Sequence, residues 1–171
     1  MRTIIFVCIL VWSSMAVGLE EDIRRLNEDI SCLTKNMFYE ARDQSVEGWL
    51  AIAEVTLNRK KHHRFPDSVC DVVYQPSRDR KRPKACQFSW TCSGVEGNVD
   101  LSNPIERRAL NTIQLIAIII IVADSFDVKL QTTVEGANHH VECSISQNRK
   151  GFWNRTDFLR KIGDHCFYKE R

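Results

Sequence analysis

Along the first third of the chain the apolar residues Ile23, Leu26, Ile30, Leu33 and Met37 recur at steps of three and four, which puts them on one helical face. The spacing predicts a helix over residues 21–39, with Glu40 at its C-terminal end. After the polar break Asp43-Gln44-Ser45, Ser45 can cap a second helix running to about residue 60, with Val46, Leu50, Ala53 and Leu57 on its buried stripe. Gly48 lowers helix propensity there and points to a packing contact or a close backbone approach. Glu54 is either a buried second carboxylate or part of a solvated face, and Asn58 and Arg59 are either caps or braces for the preceding loop.

Residues 69–74 form a short apolar run that reads as a helix or a strand. Residues 76–84 carry Arg78, Arg80, Lys81, Arg82 and Lys84 together with two prolines, so an exposed loop is expected, simply solvated or attractive to an anionic polymer. From Cys86 to Cys92 polar and aromatic residues alternate, predicting a strand or a stapled hairpin edge. Residues 104–126 open on Pro104 and Glu106 and are then almost wholly apolar. The run 115–123 is short for a bilayer span, which predicts a central buried helix, with a buried strand as the fallback. The last third predicts a short strand with a glycine turn over 132–141, a helix over 152–162 and a final strand over 165–168.

Composition narrows the class. A chain of 171 residues with 43% apolar and 27% charged positions fits one globular domain. Its net charge of +2 implies neither nucleic acid nor any other strongly electrostatic partner. Residues 1–18 resemble a secretory signal: Arg2, then an apolar stretch to Trp12, then the small-x-small end Ala16-Val17-Gly18. This leaves residues 19–171 as the domain of a secreted or periplasmic monomer, with membrane contact only if the leader is uncleaved. Beyond Cys8 in the leader, the six cysteines Cys32, Cys70, Cys86, Cys92, Cys143 and Cys166 allow up to three disulfides among fifteen pairings. A zinc cluster would need closer cysteine pairs. Asn154-Arg155-Thr156 fits a glycosylation sequon, relevant only in a eukaryotic secretory pathway.

Three chemistries compete. In the first, Glu40 is the acid of glycoside cleavage, because a helix C-terminus disfavours negative charge and helps keep a carboxyl protonated; the alternative is a solvated surface glutamate. A hydrolase needs a second carboxylate, and Asp43, Glu47, Glu54 and Asp71 are candidates. A lytic transglycosylase does not, because the sugar's own 6-hydroxyl attacks. The second chemistry, metal-dependent amide cleavage, lacks a ligand motif, since His139 and His140 are adjacent and diverge on a strand. A Cys-His nucleophile, the third, fits poorly with export and paired cysteines. Gln87, Phe88, Ser89, Trp90 and His139 are candidate groove residues, amides, hydroxyls and aromatic faces being suited to sugars, although a core role serves Phe88 and Trp90 equally well. No metal or cofactor is implied.

Tyr39-Glu40-Ala41-Arg42, Glu47-Gly48, Ala51 to Arg59, Arg64-Phe65-Pro66, Val69 to Gln75, Cys86-Gln87-Phe88-Ser89, Gly136-Ala137-x-His139 and Ile162-Gly163-x-His165-x-Phe167-Tyr168 occur in an order that resembles the SleB/CwlJ cell-wall hydrolase family. The resemblance covers about residues 33–168. It implies a small lysozyme-like α+β fold, mainly helical with a short antiparallel sheet. It also implies peptidoglycan glycan strands as substrate, cut between N-acetylmuramic acid and N-acetylglucosamine, with Glu40 as the catalytic acid. The usual glycine and second glutamate of the family's segment are replaced by Asp43 and Gln44, which favours a single-carboxylate lytic transglycosylase over a hydrolytic muramidase. Asn138 and His140 also replace more usual residues. The competing class is a non-catalytic, disulfide-stapled wall-binding protein.

Overall fold

The computed structural model describes residues 2–77, 86–95, 99–146 and 155–171. The first helix, α1 (Arg2–Ala41), runs some twenty residues further toward the N-terminus than its apolar stripe predicts. The cause is local: no proline interrupts residues 2–41, and Gly18 alone does not break a helix. Leu33, Met37, Phe38 and Ala41 are buried in the core, whereas Arg24 pairs with Glu21 and Glu28 on the exposed side. Ile23 is exposed, so the packed stripe begins at Leu26. At the end of α1 the carbonyl of Ala41 accepts a hydrogen bond from Trp49 Nε1 at 2.7 Å, which satisfies a group that the helix itself leaves open.

Helix α2 (Val46–Lys60) starts at the Ser45 cap, whose hydroxyl accepts from the Gly48 N–H. Its buried face differs from the expected stripe: Val46 is exposed, Leu50 and Leu57 lie at the margin, and Trp49, Ile52, Ala53, Val55 and Thr56 are inside. A Cβ at Gly48 would sit 2.9 Å from the Gln44 Cβ, so the glycine permits a tight turn between α1 and α2. The 69–74 run forms α3 (Val69–Val73), tied to α1 by the Cys32–Cys70 disulfide and by Asp29, which accepts from the Val69 N–H.

Cys86 to Cys92 is not a strand. Its disulfide joins cysteines six positions apart, and Ser89–Cys92 curls into a 3-10 helix that turns Phe88 and Trp90 inward. Trp90 Nε1 donates to Asn36 Oδ1 at 3.0 Å, and Asn36 Nδ2 donates to Thr56 Oγ1 at 3.0 Å, forming a polar chain through the core.

Helix α4 (Pro104–Ser125) is capped by Asn103 and is long and apolar enough to cross a membrane, by length and composition. It is not the central buried helix that the pattern predicts. Packed on α1 and α2 along one side, it buries Ile113, Ala117, Ile120 and Ile121 and leaves Ile105, Leu115 and Ile119 exposed.

The remaining elements are β1 (His139–Glu142), the single turn α5 (Cys143–Ser146), β2 (Thr156–Ile162) and β3 (His165–Glu170). The strands form an antiparallel sheet in the order β1-β3-β2. The helix expected over 152–162 is therefore corrected to a strand from Thr156 onward, while residues 152–154 and the basic stretch 78–84 lie outside the described residues. The hairpin closes through Gly163, at φ 54°, and Asp164, with Ile162 paired to His165. A third disulfide, Cys143–Cys166, ties the end of β1 to β3.

Candidate active site

Three polar residues of α2 hold the loop that feeds β1. Glu54 accepts from the N–H groups of Thr133 at 2.7 Å and Val134 at 2.8 Å, so it is a structural clamp. Asn58 Nδ2 donates to the Ala137 carbonyl and Arg59 Nε to the Asn138 carbonyl, each at 2.8 Å. With the loop fixed, β1 sets its histidines against the end of α1. His140 Nε2 lies 3.1 Å from Glu40 Oε2, a contact joining residues one hundred positions apart.

Both members are shielded, with side-chain exposures of 6% for His140 and 13% for Glu40. The imidazole lies against the rings of Phe88 and Phe167, at centroid distances of 5.8 and 6.1 Å. In the β1–β3 register His140 pairs with Phe167 and Glu142 with His165, so all four side chains share one sheet face. His165 thereby reaches the same corner, its ring 5.5 Å from that of His140. Burial, followed by the charge of a protonated His140, lowers the His165 pKa. His139 points to the other side of the strand, where burial and then Arg59 push its pKa down to about 4. The Arg59 guanidinium is fully buried, stacked 4.7 Å over the Phe88 ring, with its pKa lowered to about 10 by burial and partly restored by Glu40. A shallow depression on α4, lined by Pro104, Arg107, Arg108, Asn111, Thr112 and Leu115, includes none of these side chains.

The residues expected from sequence separate into two groups. Glu40 and Phe88 meet at this corner, but Phe88 and Trp90 are core side chains, 1% and 4% exposed, and offer no sugar-facing surface. Their inward turn follows from the 3-10 geometry. Gln87 is half-buried, Ser89 exposed and His139 partly buried. Aromatic surface nearby comes instead from Tyr39, stacked on Trp90 at 4.7 Å, and Tyr74, 39% exposed and edge-on to the same indole. Sequence reasoning missed His140 and His165 as neighbours of Glu40. No local signal gives this meeting, because it rests on the β1–β3 register, which pairs residues more than twenty positions apart.

The other candidate carboxylates are occupied: Glu47 pairs with Arg160, and Asp71 accepts from Ser68 at the start of α3. Gln44 brackets the site, donating to Asp164 Oδ2 and accepting from the Asp164 N–H, both at 3.2 Å. Asp43 is exposed and lies outside the left-handed region, where Asp127 is the non-glycine residue found among those described. The aspartate thus fits the loop without the strain that a glycine requirement would impose.

Fold and site together define a mainly helical α+β domain with a small antiparallel sheet, disulfide-braced, that holds a shielded carboxylate where a helix end meets the sheet. A family model, Cell Wall Hydrolase, matches residues 43–168, and the chain belongs to that family. Glu40 lies just before the matched segment. The spore cortex-lytic enzyme of Bacillus subtilis (strain 168) is 44% identical over 50 residues, covering 29% of this chain and 16% of that protein. The enzyme of the same description from Oceanobacillus iheyensis is 40% identical over 48 residues, covering 28% and 17% respectively. The chain thus spans about a sixth of the length of these curated relatives. The crystal structure of the catalytic domain of the Bacillus cereus SleB protein superposes with a TM-score of 0.53 at 21% identity, covering 84% of this chain and 91% of that one, a likeness of fold.

Proposed function

We propose that the chain is a peptidoglycan-degrading enzyme that cuts the glycan strand between N-acetylmuramic acid and N-acetylglucosamine as a lytic transglycosylase, with Glu40 acting first as acid and then as base. The observation that carries this reading is the Glu40–His140 pair: a shielded carboxylate, aimed by one histidine, in a chain that belongs to a cell-wall hydrolase family. Glu40 gives its proton to the glycosidic oxygen as the bond to C1 breaks and C1 gains oxocarbenium character. The 6-hydroxyl of the same muramic acid residue then attacks C1, and the Glu40 carboxylate takes the hydroxyl proton, closing a 1,6-anhydro ring. His140 fixes the orientation of the carboxylate through both steps. Tyr39 and Tyr74 supply stacking surface, with Gln87, Ser89 and His139 as further groove candidates.

Glu40→Gln should lower release of muropeptides from purified peptidoglycan by about two to four orders of magnitude. Undiminished release would refute the assignment. Mass spectrometry should find anhydro-ended products. A second reading is hydrolytic muramidase, with the exposed Asp43, three positions from Glu40 in the chain, as the second carboxylate. Reducing ends, lost together with activity in Asp43→Asn, would establish it. We also propose that residues 1–18 direct export and are removed, leaving a monomeric domain; N-terminal sequencing of exported protein that starts at Met1 would refute the removal.

A further inference from the structure

The corner around Glu40 holds more donors than a single general acid needs. Glu40, His140 and His165 each present one ligand-type atom, and these three atoms lie within 4.8 Å of one another. The two imidazoles come from strands whose register is locked by the Cys143–Cys166 disulfide, so their approach is built into the sheet. Glu40 Oε1 and His140 Nδ1 are buried and have no hydrogen-bond partner among the described residues. An unmatched carboxylate oxygen in such a place is costly unless something binds there.

We propose that Glu40, His140 and His165 form a site for a divalent transition-metal ion of the zinc class, and that the bound ion holds the enzyme inactive by occupying the Glu40 carboxylate. Two imidazoles and one carboxylate suit zinc, whereas magnesium and calcium favour all-oxygen sets. Tetrahedral zinc with ligands at about 2.0–2.1 Å spaces its donors roughly 3.3 Å apart. Glu40 Oε2 and His140 Nε2 already stand at 3.1 Å, and the ligand atoms of all three residues lie within 4.8 Å of one another. Three protein ligands leave a fourth position for water. The buried Arg59 guanidinium, which interacts with Glu40, opposes a second cation and keeps the ion exchangeable. With the metal on its oxygen, Glu40 can neither carry the proton to the leaving group nor receive one. The inhibitory half of this proposal rests on the proposed role of Glu40; the binding half does not.

The test is titration calorimetry of the oxidised full chain with zinc chloride, any free thiol blocked, beside cobalt(II) absorption spectra. One ion per chain is expected, with visible bands of a tetrahedral nitrogen–oxygen site. His165→Gln should weaken binding about tenfold or more. His63→Ala, which removes part of the stacked His62–His63 pair elsewhere, should leave it unchanged. Absence of stoichiometric binding, octahedral cobalt bands, binding retained in His165→Gln or binding lost in His63→Ala would each overturn the site. Zinc should slow wall digestion by the wild type, with recovery in chelator; binding without slowing would overturn the inhibition. Digestion in chelator tests Glu40 separately, because an active enzyme that binds no zinc sinks only the metal site, and a zinc-binding protein inert in chelator sinks only the proposed function.

Discussion

His140 is held on three sides, by the Glu40 carboxylate and by the rings of Phe88 and Phe167. A phenylalanine there can keep the stacking but cannot bond Glu40. His140→Phe is therefore expected to retain its melting temperature within a few degrees while kcat on peptidoglycan falls roughly 10- to 100-fold and KM changes little, the pattern of a carboxylate that has lost its aim. His140→Gln, with an amide N–H to offer, should recover part of kcat. An unchanged kcat in the phenylalanine variant would make the pair merely structural. Gln44 illustrates a different residue-scale lesson. Its amide donates to the carboxylate of Asp164 and accepts from the backbone there, a dual role that a glutamate could not fill beside Asp164. Loss of a second carboxylate at this position thus coincides with a gain in bracing between the α1–α2 turn and the β2–β3 hairpin.

Among the elements, α2 and α4 are joined at their C-terminal ends by Asp124, which is 6% exposed and accepts from Lys60 at 2.7 Å and Lys61 at 2.6 Å. Burial alone raises the Asp124 pKa, but the hydrogen bonds from the two lysines outweigh it and hold the group below the usual aspartate value. A folded-state value below the unfolded one means that the stabilisation is fully present above about pH 4 and is lost as pH falls through the lower folded value. Asp124→Asn should cost roughly 1–2 kcal/mol at neutral pH. Thermal melts of the two proteins should converge as the pH drops from about 4 toward 2. Melting curves separated by a constant amount across that range would exclude the linkage. The elements also divide by how legible they were. The Ser45 cap and the Pro104 start set the bounds of α2 and the beginning of α4 correctly, because these signals are local, whereas the buried face of α2 was misjudged. Strand β2 was misread as helical because Phe158, Leu159 and Arg160 lie at an exposed, bulged edge where no alternation is imposed from below. The Cys86–Cys92 segment failed for another reason: its disulfide bends the chain more tightly than a strand permits. At the site, Glu40 is singled out by the family resemblance, since a helix-end position suits a surface glutamate as well, whereas His140 and His165 depend on strand register and a loop braced by Glu54, Asn58 and Arg59.

For the whole molecule, the three disulfides divide stability from site geometry. Cys32–Cys70 spans 38 positions and joins α1 to α3, far along the helix from Glu40 in sequence, while Cys143–Cys166 spans 23 and fastens the strands that carry His140 and His165. The chain-entropy argument assigns about 4 kcal/mol to the longer loop and about 3.5 kcal/mol to the shorter. Replacing both cysteines of a pair by alanine should therefore lower the melting temperature at least as much at Cys32/Cys70 as at Cys143/Cys166. Activity should follow the opposite order. Measured well below both melting temperatures, the Cys32/Cys70 variant should retain most of its kcat, since α1 still meets α2 through the Trp49–Ala41 and Asn36–Thr56 hydrogen bonds. The Cys143/Cys166 variant should lose several-fold in kcat, since a sheet freed at the end of β1 no longer holds the imidazole within hydrogen-bonding distance of Glu40. Equal residual activity in the two variants would mean that backbone pairing alone sets the register, and that the third disulfide serves the fold but not the site.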